Sequence, residues 1–167
     1  STYGSTSCTN CSAGYYANEV IKATSCTACE AGKYGDQDLQ VDSSACKDCA
    51  AGKYSSAKGV ASSDGCNDCS PGKYSTTNSG NDDEDKCIHC AANTYNADQG
   101  RNESCYSCEE GTTSSVGSTV CTSCDAGQYL TLDDSSTNKV CKDCIAGKIS
   151  TYGSTSCTNC SAGYYAN

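Results

Sequence analysis

The sequence predicts a fold of small disulfide-rich repeats: an elongated rod or superhelix of short irregular β-hairpin modules, with little or no helix. Three observations predict this class. The 167 residues include 18 cysteines but no Phe, Trp or Met. Leu, Ile and Val together number only 13, too few for an ordinary hydrophobic core in a chain of net charge −9. All cysteines fall into C-x-x-C pairs, so cross-links are expected to replace burial.

The cysteine content also indicates the setting of the protein. An even number of cysteines at this density is typical of secreted or cell-surface proteins, where disulfides persist. No apolar run approaches the ~18 residues needed to span a membrane, so no span is expected within this segment. The acidic composition argues against a nucleic-acid partner. Because no initiator Met and no signal peptide occur, we expect the sequence to be a window on a longer chain.

The nine C-x-x-C pairs define a tandem repeat. Successive pairs are 16 to 21 residues apart, so the intervening loop tolerates insertion. The first cysteines of the pairs are Cys8, Cys26, Cys46, Cys66, Cys87, Cys105, Cys121, Cys141 and Cys157.

A longer repeat is superimposed on the short one. Residues Ser1–Asn18 and Ser150–Asn167 are both STYGSTSCTNCSAGYYAN, identical at all 18 positions with an offset of 149. Neighbouring modules have diverged freely by comparison. We therefore predict that residues 1–167 form one continuous tandem array with eight modules per 149-residue unit, in which 150–167 repeats 1–18. A recent local duplication is the alternative explanation.

The start of each module is the most regular part. Gly occupies the third position after the second Cys in every module except one, where Asn93 replaces it. Asn is the non-Gly residue that best tolerates positive φ, so a left-handed backbone is predicted at this position. Two residues later most modules carry Tyr, the only large apolar residue available. We expect a tight turn that directs this ring at a disulfide, as a miniature core.

The run C-x-x-C-x-[AP]-G-K-Y-S, best seen in CKDCAAGKYSS from Cys46 and CNDCSPGKYST from Cys66, resembles the ephrin-receptor-like cysteine-rich repeat. That family is related in style to tumour-necrosis-factor-receptor modules. The resemblance covers essentially the whole chain, although the modules at Cys87, Cys105 and Cys141 lose Gly or Tyr. Long arrays of such repeats occur in protist surface proteins and in mastigonemes, the hair-like filaments on flagella. The resemblance therefore implies an extracellular structural array.

Sequence alone does not give the disulfide connectivity. Bridges within each C-x-x-C are possible but close very small loops, and bridges that alternate between modules have no support in the repeat. The remaining uniform scheme joins each second Cys to the first Cys of the next pair, as the resembling family does. It leaves Cys8 and Cys160 to pair outside this window. The expected bridges are Cys11–Cys26, Cys29–Cys46, Cys49–Cys66, Cys69–Cys87, Cys90–Cys105, Cys108–Cys121, Cys124–Cys141 and Cys144–Cys157.

No pattern of catalytic or cofactor-binding residues emerges, so we expect neither an enzyme nor a cofactor. Repeated C-x-x-C also occurs in zinc sites, but a single histidine, His89, and a secretory composition argue against zinc. The acidic clusters 82–85 and 133–134 lack the spacing of a calcium loop and are expected to be solvated surface.

Ser and Thr account for 43 residues and concentrate in the loops, where O-glycans are an alternative to plain solvated loop. The O-glycosylation candidates are Ser114, Ser115, Ser118, Thr119, Ser135, Ser136 and Thr137. N-glycosylation sequons occur at Asn102, Asn10 and Asn159. Asn102 is the best of them, because the middle residue of the other two sequons is a Cys.

The sequence therefore favours a structural subunit or spacer of an extracellular, glycosylated filament. Its expected partners are copies of itself or neighbouring repeat units, and covalent glycans. Two alternatives remain open. One is the stalk of a cell-surface receptor or adhesin, and the other is a cysteine-rich surface antigen.

Overall fold

A computed structural model describes residues 8–19, 23–133 and 138–164. These residues form eight consecutive antiparallel β-hairpins, each a separate two-stranded sheet. The described part of the chain contains no α-helix. The paired strands are β1 (Tyr15–Ala17) with β2 (Cys26–Ala28), β3 (Lys33–Tyr34) with β4 (Lys47–Asp48), β5 (Lys53–Tyr54) with β6 (Asn67–Asp68), β7 (Lys73–Tyr74) with β8 (Ile88–His89), β9 (Thr94–Tyr95) with β10 (Tyr106–Ser107), β11 (Thr112–Thr113) with β12 (Thr122–Ser123), β13 (Gln128–Leu132) with β14 (Lys139–Asp143), and β15 (Lys148–Ile149) with β16 (Thr158–Asn159).

One disulfide closes each hairpin, and we number the modules 1 to 8 by these bridges. Every bridge joins the second Cys of one C-x-x-C pair to the first Cys of the next. Because each closes a loop of roughly 15 residues, the chain-entropy estimate gives each bridge about 3 kcal/mol. In chain order the bridges are Cys11–Cys26, Cys29–Cys46, Cys49–Cys66, Cys69–Cys87, Cys90–Cys105, Cys108–Cys121, Cys124–Cys141 and Cys144–Cys157.

A tight turn leads from the second Cys into the first strand of each module. In module 1 the Tyr15 N–H donates to the Ser12 carbonyl at 3.0 Å. Gly14, directly before Tyr15 in this turn, has a φ of 85°. We call this position the turn glycine. Asn93, which replaces it in module 5, has a φ of 66°, so the predicted left-handed backbone is confirmed there.

The buried core consists of half-cystines rather than aromatic rings. Ten cysteines are less than 9% exposed, among them Cys69 and Cys90 at 0%, and Leu130 is the one large aliphatic residue with them among the described residues. Among the described residues, the tyrosines two positions after the turn glycine are only half-buried. The expectation that the ring forms the miniature core is therefore wrong. A two-residue strand beside a disulfide offers too little surface to enclose a ring.

Three modules carry a short 3₁₀ helix directly before the half-cystine that closes the hairpin. These are η1 (Ser43–Ala45), η2 (Ser63–Gly65) and η3 (Glu84–Lys86). In each case the backbone N–H of the following Cys donates to the first residue of the helix, as Cys46 does to the Ser43 carbonyl at 3.1 Å. The helix therefore ends on the disulfide itself.

The chain divides into two compact units. Unit 1 comprises Ser1–Ile88 and Gln99–Ser104, and unit 2 comprises His89–Asp98 and Cys105–Asn167. Unit 1 contains the bridges of modules 1 to 4, and unit 2 contains those of modules 5 to 8.

Candidate functional site: the contacts between modules

Two cysteines form no disulfide within the part of the chain that the structure describes. Cys8 is exposed and Cys160 is half-buried. Both belong to the repeated CTNC sequence, but in complementary positions. Cys8 is the first member of its pair and Cys160 is the second.

The three N-glycosylation candidates are all exposed. Asn102 lies in the loop of module 5, between Arg101 and Cys105. The Arg101 guanidinium holds this loop by donating to the Ser104 carbonyl from Nε at 2.8 Å and from Nη2 at 2.6 Å. Asn159, in contrast, is part of β16 and pairs with Lys148.

The O-glycosylation candidates divide by accessibility. Ser115 and Thr119 are exposed. The Ser114 hydroxyl, by contrast, donates to the Thr94 carbonyl at 2.8 Å, and Ser118 is half-buried. Ser115 and Thr119 are therefore the exposed residues among the described candidates. Ser135, Ser136 and Thr137 lie outside the described residues.

Carboxylates of the acidic cluster 82–85 in module 4 cap a helix and form an ion pair. Asp83 caps η3 by accepting the Asp85 N–H at 3.1 Å, and Glu84 accepts the Ser70 hydroxyl at 2.8 Å and the Lys73 ammonium at 3.1 Å. No group of three or more His, Cys, Asp or Glu side chains that could hold a metal occurs among the described residues.

Ion pairs join strands and loops of unit 1. Lys33 and Lys53 each contact the Asp directly across their hairpin, Asp48 and Asp68, at 2.6 Å. All four side chains are about a third exposed or more, so each pair stabilises by only about 0–1 kcal/mol.

An ion pair in module 2 shifts the pKa values of both of its partners. A hydrogen bond from Lys47 lowers the pKa of Asp36, and the same contact raises the pKa of Lys47. Both side chains are exposed, so solvent screens their attraction.

Backbone hydrogen bonds connect modules 1 to 6 in succession and module 7 to module 8, and the first type of bond begins at the turn glycine. The Gly14 N–H donates to the Gly35 carbonyl of module 2 at 2.8 Å. The accepting residue follows the tyrosine position, and we call it the exit residue. The same bond recurs from Gly32 to Ser55, Gly52 to Ser75, Asn93 to Ser114 and Gly127 to Ser150, at 2.7 to 3.1 Å.

The exit residue donates the second bond, to the loop of the following module. The Gly35 N–H donates to the Val60 carbonyl at 2.9 Å. Gly35, Ser55 and Ser75 each tie three consecutive modules together, because the carbonyl accepts from the preceding module and the N–H donates to the following one. The equivalent bonds run from Ala17 to Gln40, Ser55 to Asn81, Ser75 to Arg101, Asn96 to Ser118 and Leu130 to Ser154.

The third bond comes from a second position with positive φ. The Gly59 N–H in the loop of module 3 donates to the Cys29 carbonyl of module 2 at 2.8 Å. We call this position the loop residue. Five modules have Gly there, but module 2 has Leu39, whose φ is 64°. Equivalent bonds run from Leu39 to Cys11, Gly100 to Cys69, Gly117 to Cys90 and Gly153 to Cys124.

Several turn glycines are also covered by the loop of the module two places along. A Cβ at Gly14 would overlap the Gly59 carbonyl, and a Cβ at Gly52 would overlap the Gly100 carbonyl. Gly111 approaches the Gly153 carbonyl in the same way, with a Cβ placed 2.9 Å from it. Glycine is therefore required at these positions both for its φ and because another backbone occupies the space of a side chain.

All three bonds use main-chain atoms, so they place few demands on side chains. This explains how modules with different sequences keep the same contacts. The loop residue escaped the sequence analysis, although Gly recurs four to seven residues before the first Cys of a pair in most modules. The exit residue gave no compositional signal, because Ala, Gly, Ser, Asn and Leu all occupy it.

A scan against protein-family models finds no match to this chain, and a search of the curated proteins finds no similar protein. Among the described residues, no helix is long and apolar enough to cross a membrane. The chain is thus characterised by its own architecture, a tandem array of disulfide-bonded β-hairpins.

Proposed function

We propose that this protein is a structural subunit or spacer of an extracellular, glycosylated filament. The observation that carries the proposal is the repeated set of backbone hydrogen bonds between successive modules. The carbonyl of an exit residue bonds to the preceding module and its N–H bonds to the following module. The same contact can therefore repeat along an array of any length. Propagation of one contact is the property that a filament or spacer needs.

The 149-residue recurrence supports the same function. A ligand-binding surface needs only one suitable arrangement of side chains. A regular filament needs the same structural unit to recur at a constant spacing. Ser1–Asn18 and Ser150–Asn167 are identical at all 18 positions, although neighbouring modules differ in sequence. This identity supports a long unit that is repeated as a whole.

The disulfides and exposed glycosylation candidates support an extracellular site of action, since persistent disulfides require an oxidising compartment. The motif C-x-x-C-x-[AP]-G-K-Y-S resembles the ephrin-receptor-like repeats found in protist surface proteins and mastigoneme-type filaments. That resemblance favours a filament over the stalk of a receptor or adhesin, or a surface antigen.

Electron microscopy of arrays of defined length tests this function. Proteins containing one, two and three 149-residue units should be produced under oxidising conditions. Contour length should rise by a constant increment per unit, because each unit repeats the same inter-module contacts. Compact particles whose largest dimension does not grow with the number of units would contradict a spacer role.

Immunogold labelling of intact source cells separates a filament from a stalk. Antibodies to the exposed loop around Asn102 should label filaments at regular intervals. Uniform labelling of the cell surface, with no filament, would contradict the filament proposal and favour a stalk or an antigen coat.

A further inference from the structure

Module 5 differs from other hairpins in the residue that faces its tyrosine. The strand register places Tyr106 of β10 directly opposite Tyr95 of β9. At the position equivalent to Tyr106, modules 1, 2, 3, 6, 7 and 8 carry Lys, Asn or Thr. Module 5 therefore pairs two phenol rings across its hairpin, where those modules place a polar side chain.

The two rings are in contact. Their centroids are 5.6 Å apart and their planes are inclined by 41°. This separation lies within the range of interacting aromatic pairs. The disulfide Cys90–Cys105 closes the same hairpin, and Cys105 directly precedes Tyr106. The bridge and the strand pairing together hold the rings beside each other.

The ring pair is also open to oxidation. Tyr106 is 48% exposed, whereas Tyr95 is half-buried, so a reagent in solution can reach one ring while the other is held against it. Thioethers and free thiols are readily oxidised. The sequence contains no Met or Trp, and the two cysteines of this hairpin are joined in a disulfide. The phenols are therefore the side chains of this hairpin that a one-electron oxidant finds available.

We propose that Tyr95 and Tyr106 form an oxidative cross-linking site, at which a haem peroxidase with hydrogen peroxide joins the two rings through a carbon–carbon bond. Both rings belong to one hairpin, so their coupling is intramolecular and is favoured over coupling between separate molecules. The product is a second covalent link across module 5, and reducing agents do not cleave it. This modification site is independent of the proposed filament function.

The reaction balances with one molecule of hydrogen peroxide for each cross-link. Each phenol gives up one electron and its hydroxyl proton, which leaves a phenoxyl radical whose unpaired electron is shared with the ring carbons beside the hydroxyl. One such carbon from each ring forms the new bond. The hydrogen on each bonded carbon then moves to the phenol oxygen and restores the aromatic ring. Hydrogen peroxide accepts two electrons and two protons, its O–O bond breaks, and two water molecules form.

The cross-link has a structural consequence for this module. Cys105 is half-buried, and no 3₁₀ helix precedes it among the described residues. The bridge Cys90–Cys105 is therefore less shielded from reductants than the bridges of modules 2, 3 and 4, whose half-cystines are all buried. A carbon–carbon bond between the two strands would keep the hairpin closed after that disulfide is reduced.

Tryptic mapping tests the cross-link. The oxidised protein is treated at low concentration with a haem peroxidase and hydrogen peroxide, and the monomer is isolated after reduction and alkylation. Trypsin cleaves after Arg101, between the two tyrosines, so the flanking peptides stay together only when the rings are joined. We expect this joined pair, lighter by two hydrogen atoms than its parts, together with dityrosine fluorescence. Monomer that lacks the joined pair would overturn the proposal.

Two matched variants separate this pair from exposed tyrosines in general. Tyr106→Phe should abolish the dityrosine fluorescence of the monomer. Tyr152→Phe is the control, because it removes a ring that is 69% exposed and should leave that fluorescence unchanged. Formation of all eight disulfides checks that both variants fold. Equal monomer fluorescence in Tyr106→Phe and the unaltered protein would overturn the proposal.

Asn67→Tyr in module 3 tests whether the strand register directs the coupling. Asn67 is exposed and faces Tyr54 in the same register that places Tyr106 opposite Tyr95. The variant should gain a second cross-link, between position 67 and Tyr54, under the conditions that join the rings of module 5. Absence of this additional cross-link would overturn the assignment of the reaction to this cross-strand position.

Discussion

The two units of the chain repeat the same hairpin but differ in how completely it is enclosed. In unit 1, both half-cystines of modules 2, 3 and 4 are buried, with exposures of 0 to 8%. In unit 2, every bridge has at least one half-cystine that is partly exposed. The turn glycines do not follow this division, because Gly14, Gly32 and Gly52 of unit 1 and Gly111 of unit 2 all lie against the backbone of another module.

Loop structure explains the difference better than loop length. The three enclosed bridges span 17, 17 and 18 residues, and each is preceded by a 3₁₀ helix that ends on the buried half-cystine. Module 7 also spans 17 residues, but its residues extend β13 and β14 to five residues each, and Cys141 remains half-buried. A disulfide is therefore shielded by the local fold of its loop.

The largest expected effect is on the order of disulfide reduction. Thiolate attack requires access to the sulfur, so the bridges of modules 2, 3 and 4 should be reduced roughly tenfold more slowly than Cys108–Cys121 and Cys144–Cys157. Partial reduction, alkylation and peptide mass mapping would measure this order. Deleting Ser63–Gly65 should move Cys49–Cys66 into the fast group. A uniform reduction rate for all bridges would contradict the comparison.

A second prediction compares an enclosed glycine with an open one. Gly52→Ala should destabilise by about 3 kcal/mol, because a Cβ adds both left-handed strain and overlap with the Gly100 carbonyl. Gly80→Ala should cost only about 1 kcal/mol, because Gly80 also has a positive φ but a Cβ there would meet nothing within 4 Å. Denaturant unfolding under oxidising conditions, with hydrogen exchange to localise the change, would compare them. Equal losses would show that overlap with the neighbouring backbone adds nothing to the cost of the strain.

The loop residue of module 2 allows a test in the stabilising direction. Leu39 has a φ of 64° at a position where five other modules use Gly, and its side chain is 61% exposed. Leu39→Gly should therefore raise the stability of unit 1 by about 1 kcal/mol, because it relieves strain at little cost in burial. Leu132→Gly is the control, since Leu132 is similarly exposed, at 51%, but belongs to the regular strand β13. This substitution should lower the stability of unit 2, because Gly weakens a strand. A loss at Leu39 would indicate that this side chain has a packing role.

The smallest expected effect concerns the cap of η1. Asp42 accepts the Ser44 N–H at 2.7 Å, and hydrogen bonds from Ser44 lower its pKa below the usual 3.8. A lowered folded-state pKa contributes stability above the unfolded-state pKa, and this is lost as pH falls through the folded-state value. Asp42→Ala should thus accelerate reduction of Cys29–Cys46 at neutral pH.

The difference between Asp42→Ala and the unaltered protein should disappear in unfolding measurements below that pKa. Ser62→Ala in module 3 is the matched control, because Ser62 occupies the same cap position without a side-chain hydrogen bond. A pH-independent effect of Asp42→Ala would refute the role of the charged cap.

The sequence by itself determined the hairpin module and its turn. Gly or Asn at the third position after a C-x-x-C pair requires a left-handed backbone, and that local requirement is met in every described module whatever surrounds it. Paucity of aliphatic side chains likewise indicated that cross-links, and not burial, would hold the chain together. Both conclusions follow from short-range sterics and composition, which a sequence shows directly.

Only the tertiary structure decided which groups form the core and how modules join. The tyrosines were expected to be the core, yet half-cystines fill it, because the two-residue strands are too short to cover a ring. Contacts between modules are made by main-chain atoms of the exit and loop residues. They could not be predicted from the pattern of side chains. Gly52 illustrates both levels: its φ could be predicted from its place after Cys49, but its contact with Gly100, 48 residues away, depends on how three modules fold together.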